Sequence, residues 1–452
     1  MATMAISTNT LAHIRFGFGL RPDSRGIDGA QGLLLQLSSS AVLDGALDLD
    51  GRTSLLREYQ AAARKQRKGE ISEDRVKPLR ANIGALIRQD FQVELARQVT
   101  SKNGFAERLV SFWADHFTVS ARGRHLSILR GAFVNEAIRP HISGRFGDML
   151  VASTLHPGML VYLDQTVSVG PNSRVGKARG GGLNENLARE VLELHTLGVG
   201  SVYSQGDVTE LAELLTGIRV TGEGMNFFPR YAEPGPETVL GVSYGGDEGD
   251  LADIEAALQD IARRPETARH LARKLAVHFV QDEPEEGLVD HIAGAYLASG
   301  GDLMATYGAL LEHDEAWVPE LRKVKQPKDY VVTSLRALGF GGTFLMDLTA
   351  KELRQGIANP MTSMGQVPNR PAGPDGWPEE ASAWITPATL SARIEWAGEL
   401  ARKFGQDRDP REFLDVALAD AASDNTSFLV AGAESKWEGV ALVLASPEFN
   451  RR

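Results

Sequence analysis

The chain of 452 residues contains no cysteine. This absence excludes disulfide scaffolds, thiolate zinc sites, iron–sulfur clusters and cysteine nucleophiles. Any bound metal would have to use His, carboxylate or amide ligands, which leaves zinc, manganese, iron, magnesium and calcium as candidates. The cofactor is therefore unassigned from the sequence, with a divalent metal ion as one candidate.

The sequence also lacks an excess of positive charge, and it lacks long apolar runs. Lys and Arg total 48 against 59 Asp and Glu, which gives a net charge of −11. This balance argues against a nucleic-acid binder, because phosphate groups are neutralised by a basic surface. The longest apolar runs fall far short of the roughly 20 residues that span a bilayer, and the N-terminal segment lacks a signal-peptide layout. We predict a soluble, cytoplasmic protein without a membrane span.

What the chain does contain is helical periodicity. With 42% hydrophobic and 24% charged residues the composition is globular. Apolar residues recur every three or four positions through most of the chain, which predicts helices such as 75–99, 265–280 and 386–404. Residues 217–244 alternate instead and predict two or three short strands. The predicted fold is mainly α, a multi-helix globular array with a small β-hairpin insert and two long irregular segments.

The irregular segments suggest how the chain is organised. Residues 165–183 are rich in glycine and residues 359–380 in proline, and neither shows periodicity. We expect a single unit over 1–452. A subdivision would give an N-terminal helical part at 1–164, a loop, central helix and β insert at 165–248, and a C-terminal helical part at 249–452.

The richest polar chemistry lies in one Leu-rich stretch, Asn184-Glu-Asn-Leu-Ala-Arg-Glu-Val-Leu-Glu-Leu-His-Thr-Leu-Gly198. It predicts a helix from Asn184 to Leu197 that ends at the glycine. If this helix is internal, its charges must be paired or bind a ligand. Three interpretations stay open: a site in which Glu190 or Glu193 acts beside His195, a buried salt-bridge network, or a surface helix with ordinary pairs four residues apart.

Other histidines could complete such a site. His116 lies among the aromatic residues of Phe112-Trp-Ala-Asp-His-Phe117, a setting typical of either a core histidine or a functional one. His270 and His278, with Arg273 and Lys274, predict a solvated or anion-facing helix side. The candidate catalytic residues are those with acid, base or anion-binding groups: Glu190, Glu193, His195, Arg189 and His116.

The two irregular segments supply candidate substrate contacts. The cations and glycines of 176–182 could cradle an anion ahead of the next helix, or form a flexible surface loop. Trp377 could stack on a sugar or a ring, or anchor its own loop. The candidate substrate-binding residues are the polar and aromatic groups in and beside these segments: Asn184, Asn186, Asn172, Ser173 and Trp377.

Several phrases of the chain, in order along nearly its whole length, resemble the bacterial family catalogued as domain of unknown function 1800. The most specific phrase is Asn184-Glu-Asn-Leu-Ala-Arg-Glu-x-Leu-Glu-Leu-His-Thr-Leu-Gly-Val199. Others are Phe112-Trp-x-x-His-Phe-Thr-Val119, His156-Pro-x-Met-Leu-x-Tyr-Leu-Asp164, Gly170-Pro-Asn-Ser173, Gly376-Trp-Pro378 and Ser446-Pro-Glu-Phe449.

The resemblance implies a setting rather than an activity, since the family has no established one. Its genes often lie beside those of another family that looks like alkaline phosphatases and sulfatases. Many members carry export signals, which this chain lacks in its sequence pattern. Many also read His-Glu-Pro-Gly where this chain has Ala232-Glu-Pro-Gly235. If that histidine is a ligand or a catalyst in the family, this chain would be weakened in function or would use another group.

Two functions from different classes follow. The first is an enzyme that performs acid–base or metal-assisted hydrolysis or group transfer on an anionic or sugar-like substrate, with Glu190 as general base and Arg189 as anion clamp. The alternative is a non-catalytic helical partner or scaffold for the phosphatase- or sulfatase-like protein encoded nearby. In that case the charged helix would be a structural lock.

Overall fold

Helices dominate the chain, as the three- and four-residue spacing predicted. The computed structural model describes residues 6–37, 48–221 and 224–452. The N-terminal helices are α1 (Thr8–Leu11), α2 (Gly29–Leu35), α3 (Leu49–Arg67), α4 (Glu73–Thr100), α5 (Gly104–His116), α6 (Gly123–Phe133), α7 (Phe146–Leu155) and α8 (Pro157–Tyr162). The first five residues of the segment searched for an export signal lie outside the described residues.

The middle of the chain holds short elements. They are the helices α9 (Arg174–Arg179), α10 (Asn186–Glu190) and α11 (Gln205–Leu214), and the strands β1 (Ile218–Thr221), β2 (Gly224–Phe227), β3 (Glu237–Val239) and β4 (Val242–Tyr244). β1 pairs with β2 and β3 with β4, both antiparallel. The predicted β insert is therefore confirmed, as two separate two-stranded sheets. The irregular segment 165–183 contains one short helix, α9, which its glycine content concealed.

The C-terminal part is again helical. Its helices are α12 (Leu251–Ala262), α13 (Pro265–Phe279), α14 (Glu286–Ala298), α15 (Leu303–Glu312), α16 (Pro327–Ala337), α17 (Gly342–Met346), α18 (Ala350–Leu353), α19 (Asn359–Ser363), α20 (Ala381–Trp384), α21 (Pro387–Phe404), α22 (Pro410–Leu418), α23 (Asp424–Ala431) and α24 (Lys436–Ala445). Proline occupies the first turn of α13, α16, α21 and α22, where its missing N–H costs nothing.

Some helices contain or adjoin wider π turns and tighter 3₁₀ turns. The π segments are Ala12–Phe16, Val134–Ile138, Val191–Thr196 and Arg354–Ala358, and the 3₁₀ segments are Arg139–His141, Gln165–Val167, Pro229–Tyr231, Asp314–Trp317 and Ala419–Ala421. π turns often occur at functional sites. The one at Val191–Thr196 interrupts the most polar stretch of the sequence.

Two large apolar clusters hold the helices together. The first takes residues between positions 12 and 316, including Trp113, Phe146 and Phe279. The second takes residues between positions 18 and 449, including Tyr330 and Trp396. The first cluster draws on all three parts of the predicted subdivision. Among the described residues, no helix is both long and apolar enough to cross a membrane.

Candidate functional site

The helix of the central motif differs from the prediction in two ways: it starts two residues after Asn184, and part of it has wider π turns. It begins at Asn186, because the Asn184 side chain accepts the Asn186 N–H at 2.9 Å and so stands outside the first turn. After Val191 the turn widens, and Leu197 N–H donates to the Leu192 carbonyl at 3.0 Å, five residues back. We call Asn186–Thr196 the motif helix. Beyond Val191 its side chains no longer follow the 3.6-residue spacing.

The charges of the motif helix form ordinary local pairs. The Arg189 guanidinium lies 3.2 Å from Glu185 and 3.2 Å from Glu193, four residues away on either side. All three side chains are partly exposed to solvent. Pairs of this kind contribute little to stability, about 0.3–0.5 kcal/mol each. For these three residues the structure shows a surface helix with ordinary pairs four residues apart, which was one of the three interpretations of the sequence.

Glu190 differs from its neighbours. Among the described residues it has no hydrogen-bond or ion-pair partner. Partial burial raises its pKa to about 7, and the charges of Glu193 and Asp375 act in the same direction. Asp375 lies in the second irregular segment, on the rim of the cavity described below. With this pKa, Glu190 is present in both protonation states near neutral pH. Its role as general base stays a prediction.

The C-terminal end of the motif helix is capped by histidines from two other helices. His116 of α5 donates its Nε2–H to the His195 carbonyl at 3.1 Å, and His270 of α13 donates its Nε2–H to the Leu194 carbonyl at 3.2 Å. These carbonyls lie in the last turn, where intrahelical partners are missing. His116 and His195 are 2% and 1% exposed. The hydrogen bonds donated by His116 and His270 thus join α5 and α13 to the motif helix.

Burial keeps these imidazoles neutral. It lowers the pKa of His195 to about 3 and that of His270 to about 4, and the nearby Lys274 charge acts in the same direction. The pKa of His116 is lowered for the same main reason. His116 also packs edge-on against the Trp113 and Phe117 rings. At neutral pH the cluster carries no charge of its own.

A cavity of about 560 Å³ opens beside this histidine cluster. We call it the main cavity. Its walls come from α4, α5, α6, α13, the start of α16 and the segment 361–380. Apolar groups such as Phe112, Val277 and Met361 share the lining with acids and bases. Mixed linings of this size are typical of sites for small ligands.

Asp115 differs from the other described carboxyls of the main cavity in that its pKa is raised. Burial raises its pKa from 3.8 to about 7, opposed by a hydrogen bond from the Trp377 backbone. That N–H lies 3.2 and 3.1 Å from the two carboxylate oxygens. Gly376 makes this approach possible. It has φ +84°, and a Cβ there would lie 2.7 Å from Asp115 Oδ2.

Lys274 lines the same cavity as Asp115, and the two charges influence each other. On α13, His270, Lys274 and His278 are four residues apart and line the main cavity as one stripe. Among the described residues Lys274 makes no hydrogen bond or ion pair. Burial lowers its pKa, while the charges of Asp115, Glu379 and Asp375 act against that change. An unpaired ammonium group in a partly dry cavity favours an anionic ligand. His278 is 6% exposed, so the solvated interpretation of this helix side is wrong for it.

The other described cations of the cavity wall are paired with carboxylates. Glu94 accepts from Lys328 and lies 3.4 Å from Arg130, and these cations lower its pKa. Arg108 lies 2.8 Å from Asp329. Within the described part of the chain, these pairs leave Lys274 as the cation of the cavity lining whose charge is available to a ligand. No sequence pattern points to Glu94 or Lys328, since each lies on a separate helix among many charged residues.

The predicted substrate-binding residues divide into two groups. Trp377 lines the main cavity, and its ring lies 6.0 Å from that of Trp384, so it both anchors its loop and faces the cavity. The other four make local contacts away from the cavity. Asn172 donates from its backbone and side chain to Glu233 at 2.8 and 2.6 Å. Their role in substrate binding stays a prediction.

The contacts of the remaining three polar candidates shape the chain ahead of the motif helix. The Ser173 hydroxyl accepts the Gly176 N–H at 3.0 Å and caps α9. Asn184 donates to the Asp164 carbonyl at 3.2 Å, and its Oδ1 accepts from the Asn186 backbone.

Ala232 is buried near Gly217 in the β insert, outside the lining of the main cavity.

A metal site was the other possibility raised by the sequence. Among the described residues, no group of three or more His, Asp and Glu side chains is arranged to hold a metal ion. Glu193 pairs with Arg189, and the His116 side chain donates to the His195 backbone carbonyl.

Comparison with known protein families identifies the family of this chain. A sequence model described as "Protein of unknown function (DUF1800)" matches residues 11–451. The chain belongs to this family. The match confirms the resemblance carried by the central motif and covers the helices that build the main cavity. No curated protein and no solved structure matches the chain.

Proposed function

We propose that this DUF1800 protein is an enzyme that performs acid–base hydrolysis or group transfer on a small anionic substrate in the main cavity. One observation carries the proposal. A buried carboxyl with a pKa of about 7, Asp115, shares a cavity of about 560 Å³ with the unpaired cation Lys274. Perturbed groups of this kind cluster at active sites.

Asp115 is the proposed general acid and base. With a pKa of about 7 it is present in both protonation states at neutral pH, which is the condition under which a carboxyl transfers protons most efficiently. Protonated Asp115 would donate to the leaving-group oxygen as the substrate bond breaks. The resulting carboxylate would then take a proton from the incoming water or acceptor hydroxyl.

Lys274 is the proposed anion-binding residue. Its ammonium group is not engaged by a carboxylate among the described residues, whereas the neighbouring Lys328 and Arg108 are. A phosphate, sulfate or carboxylate group bound there would form an ion pair with Lys274, which has no such partner among the described residues. The apolar side of the cavity, with Phe112 and Trp377, suits the ring or sugar portion of such a substrate.

A substrate panel tests this function. We expect the purified chain to hydrolyse at least one class among nitrophenyl phosphates, sulfates, carboxylic esters and glycosides. Asp115→Asn should reduce kcat by about 10²–10⁴, the range for a positioned proton-transfer group. Lys274→Met should mainly raise KM. Asp290→Asn, on the exposed face of α14, is the matched control and should behave as wild type.

Glu190 provides a second arm of the same experiment. If Glu190→Gln abolishes turnover and Asp115→Asn does not, the general base lies on the motif helix, as the sequence predicted, and the assignment to Asp115 fails. If neither variant changes any activity found, the enzyme proposal itself fails.

One observation favours the alternative, a non-catalytic partner of a phosphatase- or sulfatase-like protein. Phe428, Ile394 and Leu429 are 76%, 50% and 47% exposed, on helices α23 and α21 that both contact α24. Exposed apolar groups on neighbouring helices are typical of interaction surfaces. Co-purification with the neighbouring gene product, lost in Phe428→Glu but retained in Asp115→Asn, would support this alternative.

A further inference from the structure

A second, smaller cavity lies behind the main one. It has a volume of about 150 Å³ and is lined by α4, α5, α6 and the π turn Val134–Ile138. The two cavities share Glu94, Ser111, Ala114 and Arg130 as a common wall. The smaller one, which we call the rear cavity, plays no part in the proposed function.

The acidic side chains that line the rear cavity already form ion pairs with basic side chains. Asp90 accepts two hydrogen bonds from Arg52, at 2.6 and 2.7 Å. Glu107 accepts two from Arg139, at 2.8 and 2.9 Å. Glu94 is held by Lys328 and Arg130 from the side of the main cavity. None of these carboxylates is left to neutralise a further cation.

Arg97 is such a further cation. It lines the rear cavity from α4 and, among the described residues, has neither a hydrogen-bond nor an ion-pair partner. Partial burial lowers its pKa to about 10, the charge of Arg139 acts in the same direction, and Glu107 opposes them. Holding an unpaired guanidinium in a partly dry site costs free energy that a bound anion would recover.

The adjacent side chain points to the same kind of ligand. Gln98 is 3% exposed and lines the rear cavity. Its Nε2 donates to Ser111 Oγ at 2.9 Å, but its Oε1 is buried without a donor. Arg139 Nε is likewise buried without an acceptor. Buried polar atoms nearly always have partners, so this cavity presents donors and one acceptor that the fold leaves unused.

We propose that the rear cavity binds a small oxyanion that also carries a hydroxyl hydrogen, such as hydrogen phosphate or a short hydroxycarboxylate. Arg97 would bind the anionic oxygens through its planar fork, which matches phosphate and carboxylate geometry. The hydroxyl would donate to Gln98 Oε1. The volume of about 150 Å³ admits a ligand of only a few non-hydrogen atoms, which excludes nucleotides and sugars.

Calorimetry on the full chain tests the site, with inorganic phosphate and glycolate as probes at constant ionic strength. We expect saturable binding of at least one probe by wild type. In Arg97→Met it should be about 10- to 100-fold weaker, the loss expected for charge-assisted hydrogen bonds. Arg97→Lys should be intermediate, because it keeps the charge but not the fork. Arg263→Met, exposed at the end of α12 and outside the lining of both cavities, is the control and should bind as wild type. Lys274→Met separates the two cavities, because it removes only anion binding in the main cavity and should leave the Arg97-dependent binding in place.

The remaining outcomes contradict the proposal. Absence of saturable binding by wild type, or unchanged binding by Arg97→Met, would show that the rear cavity holds water only. Loss of binding in Lys274→Met instead would move the anion to the main cavity. Arg97→Met without ligand should melt no lower than wild type, since no pair is broken. A large drop in its melting temperature would show that Arg97 serves the fold, and would also overturn the assignment.

Discussion

The motif helix and α13 carry similar residues, yet the structure uses them differently. The motif helix has the denser charge, but its Arg189 pairs with Glu185 and Glu193 along a partly exposed face. α13 presents His270, Lys274 and His278 as one stripe to the main cavity, and Lys274 has no partner among the described residues. Charge density along a sequence therefore says less about a site than whether a charge has a partner.

The two helices are nevertheless linked. His270 of α13 caps the motif helix through the Leu194 carbonyl, and the Asp375 charge acts on both Glu190 and Lys274. The motif helix is thus joined to the cavity wall through His270, and Glu190 lies within the electrostatic influence of the cavity residue Asp375. The following predictions test this division of roles, in order of decreasing effect.

Breaking a buried pair of the cavity wall should have the largest effect. Asp329→Ala leaves Arg108, 1% exposed as a side chain, without its carboxylate. We expect a loss of about 3–5 kcal/mol in the free energy of unfolding, because a buried charge is left uncompensated. Urea unfolding measures it. The control is Asp260→Ala, which breaks an exposed pair with Arg263; equal losses in both would contradict the comparison.

The pH dependence of stability should identify Asp115. Its pKa rises from 3.8 to about 7 on folding, so the folded state holds this proton more tightly. The stability contributed by protonated Asp115 is complete below about pH 4 and is lost as the pH rises through 7. Asp115→Asn should therefore gain up to about 4 kcal/mol relative to wild type across this range. The test is to measure the urea midpoints of wild type and Asp115→Asn from pH 4 to 8, with Asp290→Asn as control. If the midpoints of wild type and Asp115→Asn change with pH in parallel, the pKa of Asp115 is not raised on folding.

Removing one histidine cap should have an intermediate effect. His270→Ala deletes the donor to the Leu194 carbonyl, and the cost should be about 1–2 kcal/mol, as for one lost hydrogen bond with a partly buried acceptor. Hydrogen exchange should quicken in the motif helix and not in α21. His291→Ala, on the exposed face of α14, is the control. Unchanged exchange in the motif helix would show that the cap is not needed.

The smallest effect is expected on the motif helix itself. Glu193→Gln removes one partly exposed partner of Arg189, which keeps Glu185. The free energy of unfolding should change by less than about 0.5 kcal/mol, again by urea unfolding. A loss of several kcal/mol would restore the structural-lock interpretation and would remove the contrast between the two helices.

The fold was largely predictable, because apolar spacing reports which face of a helix is buried. The β insert was visible for the same reason, in the alternation around Val220 and Val239. Periodicity could not show the π turn after Val191, since that turn depends on what packs against it. Nor could it show that Asp115 meets Trp377, because the two are far apart in the chain and are joined only by a backbone hydrogen bond.

The stripe of His270, Lys274 and His278 was the signal available for the cavity. Its spacing of four residues was readable, but a Lys between two His is equally typical of a solvated face. The deciding fact was burial by the segment around Glu379, which accepts from His278 Nδ1 at 2.6 Å. Long-range contacts of an irregular segment have no periodic signature, so this part of the site required the structure.

The close approach of Gly376 to Asp115 restricts how this site can evolve. Any side chain at position 376 would collide with the carboxylate or displace the backbone N–H that meets it. Single substitutions at either position are therefore handicapped, and a tolerated change at one calls for a compensating change at the other. Directed evolution towards new substrates should accept variation at the exposed Asp375 far sooner than at its glycine neighbour.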